Sequence, residues 1–333
     1  MVRGAFDWRD GERLIRFGRG AAADAVAALG GPGYLLLTTP RAGGALPALA
    51  AAAAGVHHVP GGAVPELAAG ALEWARAAAP ERDARIVALG GGRVIDVAKA
   101  VAAALGDGAR AMAIPTTLSG AEMTRGHRHA AGVPEDTPRV RCAVVVCDPA
   151  LAASQPVDQL AASALNALGH ALEAPCAVAA NPVATLAARE AARLLAGGFD
   201  DPSAPDRDAL ALGALLGGYA LGSTGLGLHH VMAQTLVRLG HVGHGQANAV
   251  LLPHTAEALR RRCPSEIAAF EPDPVPAAAR IRELAGAARL RDLGVAESDL
   301  DALVEAAAAR RELDATPPRA TRDELRSIYA AAL

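Results

Sequence analysis

Ahead of Asp148-Pro149, short uninterrupted apolar runs alternate with longer alanine-rich segments of helical periodicity; beyond that pair only the helical periodicity continues. Arg13 to Phe17, Tyr34 to Thr39, Gly55 to Val59, Ile86 to Leu89, Ala111 to Ile114 and Arg141 to Val146 each have strand length. Between them, helices are predicted from Gly20 to about Leu29, after Pro40, from Pro65 to about Ala79, and from Gly92 through Ala104. Pro65 stands where a proline is comfortable, at the first helical position. Strands alternating with helices of this length predict βαβ units and a parallel sheet, and unbroken apolar strands predict a sheet covered on both faces. After Pro149 the periodicity predicts helices at about 158–179, 182–197, 206–222, 224–238, 246–262, 275–291, 296–310 and 320–332. The expected fold class is therefore an α/β domain with a parallel sheet over residues 1–150, followed by an all-α domain over residues 151–333.

Composition narrows the partners. A chain of 333 residues, 52% hydrophobic and 20% charged, has the make-up of a soluble globular protein with a large core. Its formal charge of −3 argues against a nucleic-acid partner, which would select a basic surface. The opening MVRGAFDWRDGERLIRFG carries charges throughout and no apolar core, so no secretory signal is expected. Ala209 to Leu228 is uncharged over 20 residues, but its six glycines and lack of a basic flank predict closely packed buried helices rather than a membrane span. The four cysteines (Cys142, Cys147, Cys176, Cys263) form no C-x-x-C pair and no disulfide-like spacing, which fits buried thiols in a reducing cytoplasm. Of the 32 basic residues, 31 are arginine; the single lysine, Lys99, lies in a glycine-rich motif.

Three fragments carry candidate chemistry. The strand ending at Leu89 runs into Gly90-Gly91-Gly92 and a helix bearing Asp96 and Lys99. Glycines there let backbone amides approach a diphosphate at a helix N-terminus, although the fragment is neither a Walker sequence nor G-x-G-x-x-G. Pro115-Thr116-Thr117-Leu118-Ser119-Gly120 follows the next strand, forming a loop at the carboxyl edge of the sheet, where α/β folds bind ligands. The third is residues 225–248, GLGLHHVMAQTLVRLGHVGHGQAN, with His229, His230, His241 and His244. Asn166 and His170, one helical turn apart, can face the same cavity. Three imidazoles and a short amide are the parts of a metal site or a proton-handling pocket.

In this order the fragments resemble the iron-containing (group III) alcohol dehydrogenase family over most of the chain. Gly90 to Lys99 resembles the family's G-G-G-S-x-x-D-x-x-K, with Arg93 at the serine; Pro115-Thr116-Thr117 resembles its P-T-T loop, and Asp148-Pro149 its domain junction. The resemblance implies a dehydroquinate synthase-like architecture, with NAD(H) or NADP(H) and a small-molecule substrate between the two domains, hydride transfer to or from an alcohol or carbonyl carbon, and a homodimer. It implies that Gly90, Gly91 and Gly92 hold the diphosphate and that Thr39, Asp96, Lys99, Thr116, Thr117 and Ser119 complete the cofactor site. Thr39 and nearby Arg41 stand where an acidic residue would exclude a 2′-phosphate, so NADPH is expected to be accepted. The family's metal ligands, an Asp and three His, correspond to Asn166, His170, His230 and His244.

Two departures matter. Asn166 removes the anionic ligand, which weakens zinc or iron binding. The family lysine ahead of the Asp-Pro junction is absent, so a cofactor contact is either lost with it or taken by Arg139 or Arg141. Asn at this position, the compact threonine loop and Leu228-His229-His230 resemble the maleylacetate reductase branch, which reduces the double bond of an oxo-dicarboxylate. Gly90 to Lys99 and the stretch from His244 to Ala249 stay closer to the alcohol dehydrogenases. Either way His230 and His244 are the expected catalytic residues. His229 and His241 are open between a role and a structural contact, and Glu173 is either an orienting partner or a solvated carboxylate. Arg125 or Arg128 is a candidate grip for a substrate carboxylate. A tailoring dehydrogenase for a larger secondary alcohol, a non-redox relative of the dehydroquinate synthase kind and a non-catalytic relative remain as alternatives.

Overall fold

The structure, a computed structural model, describes residues 5–78, 84–152, 155–286 and 289–333. Ala79, the expected end of one helix, residues 287–288 within another, and the first four residues lie outside them. Two compact units divide the chain, Met1–Ser154 and Gln155–Leu333.

In the first unit the described strands β1 (Phe6–Asp10), β2 (Arg13–Phe17), β3 (Leu35–Thr38), β4 (Gly55–His58), β5 (Arg85–Gly90), β6 (Arg110–Pro115) and β7 (Val144–Cys147) form one sheet ordered β1-β2-β7-β6-β5-β3-β4. Every neighbouring pair is parallel except β1–β2. The expected parallel sheet is present, with one antiparallel pair added at its β1 edge. Phe6–Asp10 is a half-exposed hairpin strand rather than an apolar run, pinned by the Asp7–Arg16 ion pair across the ladder. Asp10-Gly11, with Gly11 at φ 61°, is the tight-turn signal that marks it in the sequence.

The helices of this unit are α1 (Ala25–Ala28), α2 (Pro40–Ala45), α3 (Pro47–Ala52), α4 (Val64–Ala78) and α5 (Gly92–Leu105). Pro47 splits the alanine-rich run after Pro40 in two, because a proline cannot continue the hydrogen-bond ladder of a preceding turn. One sheet face, with Leu36, Val87, Leu89, Met112, Ile114 and Val146, packs on Ala25, Leu29, Ala42 and Leu49 from α1 to α3. Ile86, Ala88, Ala111 and Ala113 alternate onto the other face and are also buried. Both faces are thus covered, and the carboxyl ends of β5 and β6 are held side by side, with Gly90 opposite Pro115.

The second unit is helical among the described residues: α6 (Val157–Glu173), α7 (Pro182–Gly197), α8 (Arg207–Thr224), α9 (Leu228–Leu239), α10 (His244–Arg262), α11 (Pro264–Ala268), α12 (Pro274–Leu284), α13 (Leu300–Ala308) and α14 (Arg322–Ala332). The uncharged stretch is α8 and its exit. No single described helix is long and apolar enough to cross a membrane, and α8 is buried because its glycines admit its neighbours. A Cβ at Gly213 would lie 2.8 Å from Leu195 Cγ on α7, and one at Gly217 would lie 2.9 Å from the Ala167 carbonyl oxygen on α6.

That contact gives a test. Gly217→Val places carbon against backbone that cannot rotate away, so it is expected to destabilise by about 1–3 kcal/mol or more. Gly70→Ala, at an exposed position of α4 with nothing within 4 Å of the added carbon, is expected to stabilise by about 0.5–1 kcal/mol. Urea unfolding midpoints of the two variants should move in opposite directions.

Candidate active site

In the first unit the glycine turn and the threonine loop complete one another. Leaving adjacent strands, they are joined by a hydrogen bond from the Thr116 N–H to the Gly90 carbonyl at 3.0 Å. A Cβ at Gly91 would come 3.0 Å from Thr117 Cγ2, and one at Gly92 would come 2.9 Å from Ser119 Cβ. Any side chain there would push the loop away. Gly91 caps α5 without a side chain, so no capping group competes for the first N–H groups of this helix. A helix N-terminus of that kind, with its positive dipole end, suits a diphosphate. The donor set therefore fits a dinucleotide.

Asp96 and Lys99 follow one turn later. Lys99, expected among the cofactor contacts, has a different place. Its fully buried Nζ donates to the carbonyls of Ala121 (2.8 Å), Thr124 (3.3 Å) and Gly126 (2.6 Å) and lies 2.8 Å from Asp96 Oδ1. An ammonium has three protons to give, so this one is committed to the loop that follows Ser119. Arginine, with its wide planar fork, would not fit the same point-like site. These contacts account for the lone lysine: its ammonium holds the loop that follows Ser119. Thr39 caps α2, its Oγ1 accepting from the Ala42 N–H at 3.2 Å. Thr116 is buried, while Thr117 and Ser119 are half-buried along the turn.

The same loop holds a residue that sequence reasoning passed over. Glu122 is buried with Oε2 lacking a hydrogen-bond partner, and burial pushes its carboxyl up to about 7 against the pull of Lys99 and Arg13. Arg13, also buried, reaches the Glu122 and Cys142 carbonyls from β2. Beyond it Arg125 and Arg128 are exposed. His127 is buried edge-on to His129, and desolvation lowers it to about 4.

In the second unit three helix ends bring imidazoles together. Asn166 and His170 share one face of α6, with the amide nitrogen 3.4 Å from His170 Nε2. His229 and His230 occupy the first turn of α9, and His244 is the first residue of α10. The His170 and His230 rings stack with centroids 4.6 Å apart, and His229 meets His230 edge-on at 4.9 Å. Gly169 makes this approach feasible, since a Cβ there would strike the His229 ring at 2.6 Å.

Glu173, the last residue of α6, organises the cluster. It is 1% exposed, and its Oε2 lies 2.5 Å from His230 Nδ1 while Oε1 accepts the His230 backbone N–H at 3.2 Å. The carboxylate thus caps α9, where the helix leaves N–H groups unsatisfied and its dipole favours negative charge. Burial raises the Glu173 carboxyl, opposed by His229 and by the N–H groups of His230, His229 and Gly227. With Nδ1–H donated to Glu173, His230 keeps a lone pair on Nε2, which is buried and has no hydrogen-bond partner.

His229, left open by the sequence, is a framework residue. Asn248 Nδ2 donates to the His244 carbonyl at 2.7 Å, which turns its Oδ1 toward His229 Nε2 at 3.0 Å. His229 therefore carries its proton on Nε2 and accepts the Thr255 hydroxyl at Nδ1, 2.8 Å away. Sequence reasoning missed Asn248 and Thr255; their positions one and three turns into α10 were the available signal. His241 is exposed, at φ 52°. His244 is exposed, yet close enough for its charge to act on His170, His229 and His230.

A divalent cation does not fit this donor set as it stands. Among the described residues no three His, Cys, Asp or Glu side chains converge on a common point. Asn166 brings no charge, and the His170 and His230 rings stack instead of converging. Burial drives His229 and His230 down to about 3 and His170 well below its ordinary range, so the cluster is a set of neutral imidazoles.

Comparisons with known proteins agree with both halves. Residues 12–129 match the model of iron-containing alcohol dehydrogenase, and residues 160–272 match that of the Fe-containing alcohol dehydrogenase family, C-terminal. A maleylacetate reductase of Rhizobium sp. (strain MTP-10005) is 33% identical over 327 residues, covering 89% of each chain. The crystal structure of maleylacetate reductase from Agrobacterium tumefaciens has a TM-score of 0.81 at 30% identity, covering 100% of this chain and 99% of that one. A 1,3-propanediol oxidoreductase structure has a TM-score of 0.79 at 26% identity, covering 96% and 97%.

Two outcomes follow from the cluster. Unfolded imidazoles titrate near about 6.5, whereas His229 and His230 stay neutral in the fold down to about 3. Between those values the unfolded chain binds more protons, so stability falls as pH falls. From about pH 7 to about pH 5 each imidazole removes up to roughly 2 kcal/mol. Glu173, shifted upward, acts with the opposite sign just above its ordinary value and offsets part of this. The guanidinium midpoint should drop across that interval, and a flat profile would contradict buried neutral imidazoles. Separately, Asn166→Asp restores an anionic donor, so elemental analysis should find more zinc or iron in the variant than in the parent.

Proposed function

The chain belongs to the iron-containing alcohol dehydrogenase family, and from that premise we propose that it reduces the carbon–carbon double bond of an unsaturated oxo-dicarboxylate. Membership makes it an NAD(P)-dependent oxidoreductase. The finer reading is supported by the similarity to maleylacetate reductases and carried by one observation. His230 is clamped by Glu173 with Nε2 open, while the amide of Asn166 stands where a metal site would want a carboxylate. Such a site can manage protons without a cation.

When bound, the nicotinamide supplies the hydride. The glycine turn and the N-terminus of α5 hold its diphosphate, with Thr117 and Ser119 lining the turn. Thr39 is neutral and engaged in capping α2, so nothing acidic there repels a 2′-phosphate and NADPH serves alongside NADH. Glu173 fixes the tautomer of His230, leaving Nε2 as a hydrogen-bond acceptor; an oxo-dicarboxylate carries only acceptors, so it meets this lone pair through an intervening donor such as water. His230 itself is too deeply buried to carry a proton near neutral pH. His244, exposed to solvent, is the proton donor and recovers its proton from water. Hydride adds to one carbon of the double bond, the conjugated carbonyl takes up the resulting charge, and the proton from His244 restores the ketone. One hydride and one proton are consumed per turnover, and no step passes through a metal ion.

Arg310 is the cation whose charge acts on His230. Its Nη1 donates to Gln234 Oε1 at 2.8 Å, and Gln234 lies one turn beyond His230 on α9. Planar guanidinium groups bind carboxylates bidentately, and this fork is taken by Glu312 through Nε and Nη2, so Arg310 tunes the cluster rather than gripping the substrate.

The test measures nicotinamide oxidation by NADH and NADPH against maleylacetate and a panel of aldehydes and ketones, with and without chelator. Maleylacetate should be turned over with kcat/KM at least about tenfold above any simple carbonyl, a difference of about 1.4 kcal/mol, and chelation should leave the rate unchanged. Turnover confined to simple carbonyls, or abolished by chelator, would reject the reading. In the same assay Glu173→Gln should lower kcat by roughly 100-fold, within the usual range for disabling acid–base chemistry.

A further inference from the structure

Glu122, in the loop that follows Ser119, is a buried acid with no counter-charge of its own. It is 2% exposed, and its Oε2 has no hydrogen-bond partner. Two cations flank it, and both are spent on the backbone. Arg13 Nη2 donates to the Glu122 carbonyl at 3.3 Å and Nε to the Cys142 carbonyl at 3.0 Å, while Nη1 reaches Asp10 Oδ2 at 3.4 Å. Lys99 Nζ holds the carbonyls on either side, Ala121 at 2.8 Å and Thr124 at 3.3 Å, besides that of Gly126 and the Asp96 carboxylate. A buried carboxyl left without a donor keeps its proton.

The loop that carries Glu122 is packed onto the glycine turn. The Ala121 N–H donates to Ser119 Oγ at 3.3 Å, and the Met123 N–H donates to the Gly120 carbonyl at 3.0 Å. A Cβ at Gly92 would meet Ser119 Cβ at 2.9 Å and Ala121 Cβ at 3.7 Å, so the residues just ahead of Glu122 wall the first turn of α5. An ionised carboxyl at this position would need donors. Lys99 and Arg13 can supply them only by releasing the loop carbonyls they hold. Water can supply them only by parting the loop from its neighbours. Either way the loop loses the bonds that press it on the turn.

Around Glu122, α5 presents Lys99 and Asp96, β2 presents Arg13 with Asp10 behind it, and the approach to β7 and β7 itself present Cys142 and Cys147. Desolvation pushes Cys142 up to about 12 and Cys147 well above its ordinary value, and it lowers His127, further along the loop, to about 4. These three keep their charge state through neutrality, whereas Glu122, pushed up to about 7, changes its own there. His129 stands edge-on to His127. We propose that Glu122 is a positioning residue that works as a neutral acid: protonated, it lets the loop from Ser119 to Gly126 close on the glycine turn, and loss of the proton loosens both that loop and the hold on a dinucleotide, a role that rests on the glycine turn holding the cofactor diphosphate. The proton passes to water as pH rises, and dinucleotide binding draws it back by linkage.

The experiment titrates the full chain with NADH, which has no 2′-phosphate to ionise, and follows binding by fluorescence at about pH 6 and about pH 8. The protonated, competent fraction falls from about nine-tenths to about one-tenth over that interval, so Kd should rise about tenfold. Glu122→Gln, isosteric with the neutral acid, should keep its pH 6 affinity at pH 8, which separates this titration from that of His129. Infrared difference spectra of the parent chain without cofactor should show a protonated-carboxyl band lost between the two pH values and missing from Glu122→Gln. Parent affinity unchanged with pH, the same loss of affinity in Glu122→Gln, or the absence of that band would each overturn the proposal. Infrared reads carboxyls and not imidazoles, so the parent's band and Kd still decide if Glu122→Gln folds poorly. No NADH binding at either pH would reject the dinucleotide turn itself, and the role of Glu122 with it.

Discussion

A carboxylate with no access to water must be surrounded by donors, and Glu173 obtains all of its donors from one helix end. It takes the backbone N–H of His230 on one oxygen and the His230 ring on the other. Because an unpaired buried charge would cost several kcal/mol, the junction of α6 with α9 has little freedom to shift. The consequences spread outward. His230 is locked into one tautomer and one ring position, His170 stacks on it, and His229 is pressed onto Gly169. The network through Asn248 and Thr255 then fixes how α10, with His244 at its head, meets α9. A set of neutral imidazoles positioned by one buried carboxylate suits proton handling; the structure arrives at this through the ordinary demand that buried polar groups be satisfied.

The first unit applies the same economy of space. Glycine is needed at Gly91 and Gly92 because Thr117 and Ser119 already occupy the volume a side chain would take. The helix that begins there carries Lys99, whose ammonium gathers three carbonyls of the loop behind those residues. Turn, loop and helix are therefore one assembly: moving any of them exposes a buried cation or overlaps a methyl group. That interdependence accounts for a lysine persisting in a chain that otherwise uses arginine throughout.

Much of the fold was legible because the signals are local. Apolar runs of strand length ended by proline or glycine gave six of the strands in β2 to β7, and helical periodicity located α7 and α14 almost to the residue. β1 escaped because an edge strand facing solvent need not be apolar, although Asp10-Gly11 marked its turn. The helix expected over 158–179 stops at Glu173, since Pro175 cannot continue the hydrogen-bond ladder and the chain tightens into a 3-10 turn, Ala174–Cys176.

By itself the sequence determined the alternation of elements, the glycine turn and the placing of Asn166 and His170 on one helix face, since each depends on spacing along a helix or at a strand end, and its motifs carried the resemblance to the family. Tertiary structure alone decided which polar groups are buried against which. It made Glu173 an orienting partner rather than a solvated carboxylate, His229 a framework residue, and Lys99 a clamp on the loop after Ser119. Periodicity shows which face of a helix turns inward. It does not reveal what waits there, and the worth of a buried charge, imidazole or thiol depends on that neighbour.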